Sequence, residues 1–202
     1  LLCIYQGHTA SVASLAWSPD GTHIVSGSND QTVQVWNALT TDKALTCRGH
    51  ASWVHAVAWS PDGAYIASGS WDDTVQVWDA LAGNKILTYR GHKKNVNAVA
   101  WSAESTYIAS GGYDQTVQVW DATTGGHIFT HSGHSSAINC VDWSPNSKRL
   151  ASASLDQAVH IWDASTGGHI FTYHGHTGGV YAVAWSPNGK HLASGSKDGT
   201  VH

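Results

Sequence analysis

The sequence has 202 residues, 42% of them hydrophobic, which is enough to bury a sizeable core in one domain. Ten Lys and Arg against 14 Asp and Glu leave a net charge of -4, without the basic excess that neutralises phosphates or anionic lipid, so neither nucleic acid nor a membrane surface is expected as a partner. The three cysteines, Cys3, Cys47 and Cys140, are odd in number and form no CxxC pair, which suggests neither a disulfide framework nor a thiolate zinc site and fits a reducing, cytoplasmic setting.

No apolar run approaches the roughly 18 residues of a membrane span, and no basic-then-apolar signal opens the chain. The sequence contains no methionine and begins LLCIYQGH, so it reads as a piece of a longer protein. Its organisation is a strict repeat. Gly-His recurs at His8, His50, His92, His134 and His176, and Trp followed by Asp or Asn recurs at Trp36, Trp78, Trp120 and Trp162, always 42 residues apart. Such a period signals stacked or circularly arranged units, at about residues 1–42, 43–84, 85–126, 127–168 and 169–202.

In chain order, Leu1 to Tyr5 reads as a fourth strand leading into the first Gly-His. Val12 to Trp17 alternates apolar and small residues and predicts a strand with one packed face, repeated at Val54 to Trp59, Val96 to Trp101, Ile138 to Trp143 and Val180 to Trp185. Ser18-Pro-Asp-Gly21 and Ser60-Pro-Asp-Gly63 predict tight hairpin turns, because proline presets φ at the first corner and glycine accepts the exit. The third copy, Ser102-Ala-Glu-Ser105, lacks both residues and predicts a looser turn. A second strand follows at His23 to Ser28, Tyr65 to Ser70 and Arg149 to Ser154. A loop ending in Asp30, Asp72, Asp114, Asp156 or Asp198 comes next, and then a β-branched third strand such as Thr32 to Trp36 or Thr74 to Trp78. Gly- and Thr-rich loops such as Thr123 to Gly126 lead to a fourth strand, Ile128 to His131. Connections this short allow only an antiparallel meander.

A four-stranded sheet with two apolar faces must stack on its neighbours, and sheets stacked around an axis form a propeller. Gly-His, Ser-Pro-Asp-Gly, Ala-Ser-Gly-Ser, Asp and Thr-Val-Gln-Val-Trp-Asp, in this order and spacing, resemble the WD-repeat β-propellers over the entire chain. The expected fold is all-β, built from four-stranded antiparallel blades. The five repeats would form either a five-bladed ring, with Leu1 to Tyr5 beside the strand ending at His202, or part of a larger, seven-bladed propeller. The near-identical repeats look most like bacterial or fungal WD-repeat arrays attached to signalling proteins such as kinases or nucleotide-binding sensor ATPases. That resemblance implies a non-catalytic scaffold or sensing module, with no cofactor, that binds a protein or peptide partner.

Ser, His and Asp recur in every period and invite a nucleophilic-triad reading. Multiplicity argues against it, since an active site needs one such set and here there are five: His8, Ser26, Asp30; His50, Ser68, Asp72; His92, Ser110, Asp114; His134, Ser152, Asp156; and His176, Ser194, Asp198. The resemblance implies that they join Trp36, Trp78, Trp120 and Trp162 in a buried hydrogen-bond network inside each blade, with the fifth set lacking its Trp. The closest histidine cluster, His127, His131 and His134, spans too far along a strand to ligate one ion and reads as solvated strand-end histidines. No phosphate-binding glycine loop is present.

Positions shared by all five copies describe the blade, so residues that break the repeat carry the functional information. Trp53 replaces Ser11, Asn95, Ala137 and Gly179, and Trp71 replaces Asn29, Tyr113, Leu155 and Lys197. With His55, Lys93, Lys94, Tyr113 and Tyr181, they lie at the loops after Gly-His and around the Asp, or just inside the adjacent strand, at one end of the expected propeller. Aromatic and Lys side chains of this kind compose a protein-contact surface, unless Trp53 and Trp71 pack on each other and merely cover their own blade. Two other functions fit less of the sequence: a small ligand in a central channel near His55, Asn97, Asn139 and Tyr181, and a hydrolase with one exposed Ser-His-Asp set.

Overall fold

Alternating β-branched and small residues, punctuated every few positions by turn residues, build an all-β chain in the computed structural model, which describes residues 4–40 and 42–202. The first sheet runs β1 (Val12–Trp17), β2 (His23–Ser28), β3 (Thr32–Asn37) and β4 (Lys43–Arg48) in sequential antiparallel order. The second comprises β5 (Val54–Trp59), β6 (Tyr65–Ser70), β7 (Val75–Asp79) and β8 (Lys85–Tyr89). The third has β9 (Val96–Trp101), β10 (Tyr107–Gly112), β11 (Thr116–Asp121) and β12 (His127–Ser132), and the fourth β13 (Ile138–Trp143), β14 (Arg149–Ser154), β15 (Val159–Asp163) and β16 (His169–Tyr173). The fifth consists of β17 (Val180–Trp185) and β18 (Leu192–Ser196), joined by a single bridge from Gly195 to Val201.

The turns follow from their residues. Gly21 N–H donates to the Ser18 carbonyl at 2.9 Å with Gly21 at φ 69°, and the Ser18 hydroxyl accepts His23 N–H at 2.9 Å. The third copy is no looser, contrary to the sequence expectation. Ser105 N–H reaches the Ser102 carbonyl at 3.0 Å and Ser105 adopts φ 58°. The Ser102 hydroxyl, retained in every repeat, accepts Tyr107 N–H at 3.0 Å and holds the turn without proline or glycine. The Asp of each Trp-Asp pair also has a local task, as Asp79 Oδ1 accepts the amides of Leu81 and Ala82 at 2.9 and 2.7 Å and closes the loop into β8.

Between sheets the core is Val, Ile and Trp, with Val25, Val33, Val54 and Ile66 fully buried in the first interface. Close approach depends on glycine there. A Cβ on Gly27, Gly69 or Gly111 would sit 2.7, 2.8 or 2.5 Å from the Val or Ile of the following sheet. The closed five-bladed alternative is not what the described residues form. Leu15 on β1 is 64% exposed whereas its counterpart Val57 is 7% exposed, and Trp17 is 56% exposed where its counterpart Trp59 is half-buried, so among the described residues no sheet covers the outer face of the first. Ile4 and Tyr5 form no strand, and Leu1 to Cys3 lie outside the described residues. Tyr5 instead stacks on Trp36, with centroids 5.0 Å apart, and donates to Gln34 Oε1 at 2.6 Å.

Candidate recognition surface

The end carrying the Gly-His and Asp loops is held together by the same bonds in every repeat. In the second repeat His50 Nδ1 bonds Asp72 Oδ2 at 2.8 Å and His50 Nε2 bonds the Ser68 hydroxyl at 2.7 Å, while Asp72 accepts Ala51 N–H at 2.9 Å. The other sets match within about two tenths of an ångström: His8 with Asp30 and Ser26 at 2.8 and 2.8 Å, His92 with Asp114 and Ser110 at 2.9 and 2.7 Å, His134 with Asp156 and Ser152 at 2.8 and 2.9 Å, and His176 with Asp198 and Ser194 at 2.9 and 2.9 Å. The tryptophan joins in two sheets, Trp78 donating to Ser68 at 2.8 Å and Trp162 to Ser152 at 2.9 Å. Among the described residues Trp120 Nε1 has no partner, so the four-membered network implied for the four repeats that carry the Trp is complete in the second and fourth.

Burial alone would raise the network carboxyls, but hydrogen bonds from the histidine, the following Thr and the backbone outweigh it and bring Asp30 and Asp114 down to about 2. Asp72 is lowered by the same balance. All five serines are buried, between 0% and 6% exposed, with their hydroxyls committed to histidine.

On this frame sits an aromatic cluster. The Trp71 amide donates to the Trp53 carbonyl at 2.9 Å, which brings the two side chains side by side, and the indoles stack with centroids 4.8 Å apart and planes at 29°. His55 stacks on Trp71 at 5.6 Å, and Tyr113 of the next repeat meets it edge-on at 6.1 Å. Trp71 Nε1–H donates to Asn97 Oδ1 at 3.2 Å, and the Asn97 amide donates onward to the Ile138 carbonyl at 3.0 Å. One chain of contacts therefore crosses three sheets. Trp53 and Trp71 do pack on each other, yet Trp53 and Tyr113 each remain 42% exposed. Burial in this cluster pushes the His55 imidazole down.

Four of the seven repeat-breaking residues, Trp53, His55, Trp71 and Tyr113, are thus brought together. Lys93 and Lys94 are exposed on the adjoining Gly-His loop, where Lys93 N–H donates to Asp114 at 3.0 Å. Tyr181 is exposed on the last sheet, in a shallow depression with Ala182, Gly195 and Lys197, and takes part in none of the ring contacts of the cluster. The channel residues follow a different logic. Each first strand bulges at the position of His55, Asn97, Asn139 and Tyr181, which re-aims the side chain, and Asn97 and Asn139 spend their amides on the Ile138 and Val180 carbonyls of the next sheet. Asn97, as the residue that pins Trp71, is not recognisable from its place in the repeat.

A second aromatic group lies inside the fourth repeat. His131 occupies the Tyr5, Tyr89 and Tyr173 position and His160 the Gln34, Gln76 and Gln118 position. His131 is 3% exposed and stacks on Trp162 at 4.3 Å, so it is not the solvated strand-end residue expected from the sequence. His160 stacks on His134 at 3.8 Å. Among the described residues, neither His131 nitrogen nor His160 Nδ1 finds a hydrogen-bond partner. Burial pushes both imidazoles down to about 4, with His134 and the neighbouring His169 adding to it at His160. Among the described residues no three His, Cys, Asp or Glu side chains gather closely enough to hold a metal ion.

Stacked four-stranded meanders with a repeated His-Ser-Asp set have a clear counterpart among known families. Residues 12–174 match the family model described as the Echinoderm microtubule-associated protein second beta-propeller, and residues 167–202 match the WD domain, G-beta repeat. The chain belongs to the WD-repeat β-propeller family. Members of this family generally mediate protein–protein interaction. A guanine nucleotide-binding protein subunit beta of Nicotiana tabacum is 53% identical over 45 residues, 21% of this chain and 12% of the relative. Protein Notchless of Drosophila melanogaster is 49% identical over 41 residues (20% and 8%), and Protein HIRA of Zea mays 46% over 37 (18% and 4%). The chain thus spans at most about an eighth of the length of these relatives.

Proposed function

We propose that this propeller chain is a non-catalytic interaction module that binds a protein or peptide on the end bearing the Gly-His and Asp loops. The aromatic cluster around Trp71 would be the anchor, with Lys93 and Lys94 beside it and Tyr181 as a further contact. The reading rests on one observation above all: Trp53 and Tyr113 stay 42% exposed on a cluster whose other members are fixed by stacking and by the bond to Asn97. Large aromatic side chains already locked in place lose little entropy on binding, which is why they dominate interface energetics.

Catalysis by a Ser-His-Asp set is disfavoured because no member of the five offers an exposed hydroxyl. The channel reading is weakened by the use of Asn97 and Asn139 in contacts between sheets. A reducing, cytoplasmic setting goes with the free thiols of Cys47 and Cys140. Attachment to kinase or sensor-ATPase segments is proposed on the likeness of the repeats. A photo-crosslinking residue at position 53, compared with one at Leu81 in a loop outside this end, would capture the partner. Its affinity should then fall at least tenfold with Trp53→Ala or Trp71→Ala. Equal crosslinking at both positions, or unchanged affinity, would refute the assignment.

A further inference from the structure

The chain carries ten Lys and Arg side chains, yet among the described residues every ion pair joins a network histidine to its aspartate. Three of these cations, Arg90, Lys93 and Lys94, flank the third Gly-His. At the position of Arg90 the other repeats have Gln6, Arg48, Ser132 and His174, and at that of Lys93 they have Thr9, Ala51, Ser135 and Thr177. This loop is therefore alone in carrying Arg or Lys at both places.

Arg90 and Lys93 open onto a cavity of about 710 Å³ between the second and third sheets, each of which is flanked on both sides by another sheet. The cavity is a groove beside β8, with Gly91 and Lys93 at one end and Thr124 and Gly125 at the other. Its floor is fixed, because the Tyr89 hydroxyl donates to Gln118 Oε1 at 2.7 Å and the Tyr89 ring stacks on Trp120 at 4.7 Å. At the far end Gly125, at φ 72°, lies so close to Leu87 that a Cβ there would be 3.0 Å from its side chain. The lining contains the Asp114 carboxylate, but both of its oxygens are engaged. Oδ2 bonds His92 Nδ1 at 2.9 Å and accepts Lys93 N–H at 3.0 Å, and Oδ1 accepts the Thr116 amide and hydroxyl at 3.2 and 2.9 Å. With the Asp114 side chain only 8% exposed, the Arg90 and Lys93 side chains set the sign of the charge that a ligand meets.

We propose that this groove binds an acidic, extended segment of the protein partner, with Asp or Glu carboxylates of that segment at Arg90 and Lys93. The inference rests on the interaction role proposed above and names the chemistry of what binds. β8 has 5 residues, so the groove beside it is roughly 17 Å long, a shape that fits an extended segment better than a compact anion. The Asn95 carbonyl accepts Tyr113 N–H at 2.8 Å, which sets the lysine loop against the Trp71 cluster. A segment anchored on that cluster passes over Lys94 and Lys93 into the groove. Carboxylates meeting Arg and Lys there form charge-assisted hydrogen bonds and speed the encounter.

The probe is a rhodamine-labelled peptide of two glycines and four glutamates, titrated with the 202-residue chain by fluorescence anisotropy at low salt. Saturable binding is expected, weakening as salt is raised and falling about threefold or more in the double variant Arg90→Gln, Lys93→Gln. Both side chains are exposed, so the urea midpoint of that variant should not move. Arg48→Gln, at the same strand position in the first repeat, should change the affinity by less than about twofold. No saturation up to millimolar peptide, equal binding of a peptide with glutamine for glutamate, or no loss in the double variant would overturn the proposal. An equal loss with Arg48→Gln would show diffuse attraction and overturn it too. Inorganic phosphate that displaces the peptide mole for mole would make this a site for small anions and overturn the extended segment. The anchor is tested on the crosslinked partner with Trp53→Ala, so either assignment can fail alone.

Discussion

Between pH 7 and pH 5 the chain is expected to lose stability through His131 and His160. Both rings stay neutral in the fold, pushed down to about 4 by burial, against about 6.5 for a histidine in the unfolded chain. Between those values the unfolded state binds more protons than the folded one. Stability is therefore full above about pH 6.5, falls as the pH drops, and levels off below about 4. At roughly 1.4 kcal/mol per pKa unit, each histidine withdraws about 2 kcal/mol by pH 5, or about 4 kcal/mol for the pair. His160 feels His134, Asp156, His169 and His174 together, so the titrations couple, and solvent screening reduces the sum to roughly 2–4 kcal/mol. The network aspartates do not confound the window, because Asp30 and Asp114, held at about 2, withdraw stability only below the ordinary carboxylate range. Urea midpoints followed by far-UV circular dichroism at pH 7.5, 6.5, 5.5 and 5.0 measure the slope. The double variant H131Y/H160Q rebuilds the Tyr–Gln hydrogen bond that Tyr89 and Gln118 make at 2.7 Å, and it should flatten the slope. Equal slopes in the parent and the double variant would show that the buried imidazoles do not carry the effect.

Gly111→Val forces a side chain into the space where even a Cβ would lie 2.5 Å from Ile138, and should cost about 1–3 kcal/mol in urea unfolding. Ser68→Ala removes the common partner of His50 and Trp78, leaves two buried donors or acceptors unsatisfied, and should cost about 1–3 kcal/mol by the same assay. Asn97→Ala breaks the bond to Trp71 and the link to the Ile138 carbonyl; a loss of about 1–2 kcal/mol is expected, with a measurable change in near-UV circular dichroism as Trp71 loosens.

The strands were readable because alternation and turn residues both mark them: Val12–Trp17 and Val54–Trp59 lie where the pattern places them. The tightness of the Ser102–Ser105 turn is not marked by Pro or Gly, because the serine hydroxyl and the flanking ladder supply the restraint. Trp53 and Trp71 stood out as departures from the repeat. Their mutual stacking was one of two alternatives the sequence left open, and it is decided by a loop-to-loop bond that joins residues 18 positions apart. The bulge at the position of His55 and Asn97 breaks the strict alternation of the first strand, so the direction of these side chains could not be read from the pattern. His131 and His160 were hidden for another reason: each is unremarkable alone, and only the stacked sheets bring them against Trp162 and His134.

The most direct test of the recognition surface is the affinity of the crosslinked partner for the parent chain and for Trp53→Ala, measured beside their urea midpoints. The proposed function predicts an affinity at least tenfold weaker with a midpoint that does not move, because Trp53 is half-exposed and its loss opens no core cavity. An unchanged affinity would contradict it.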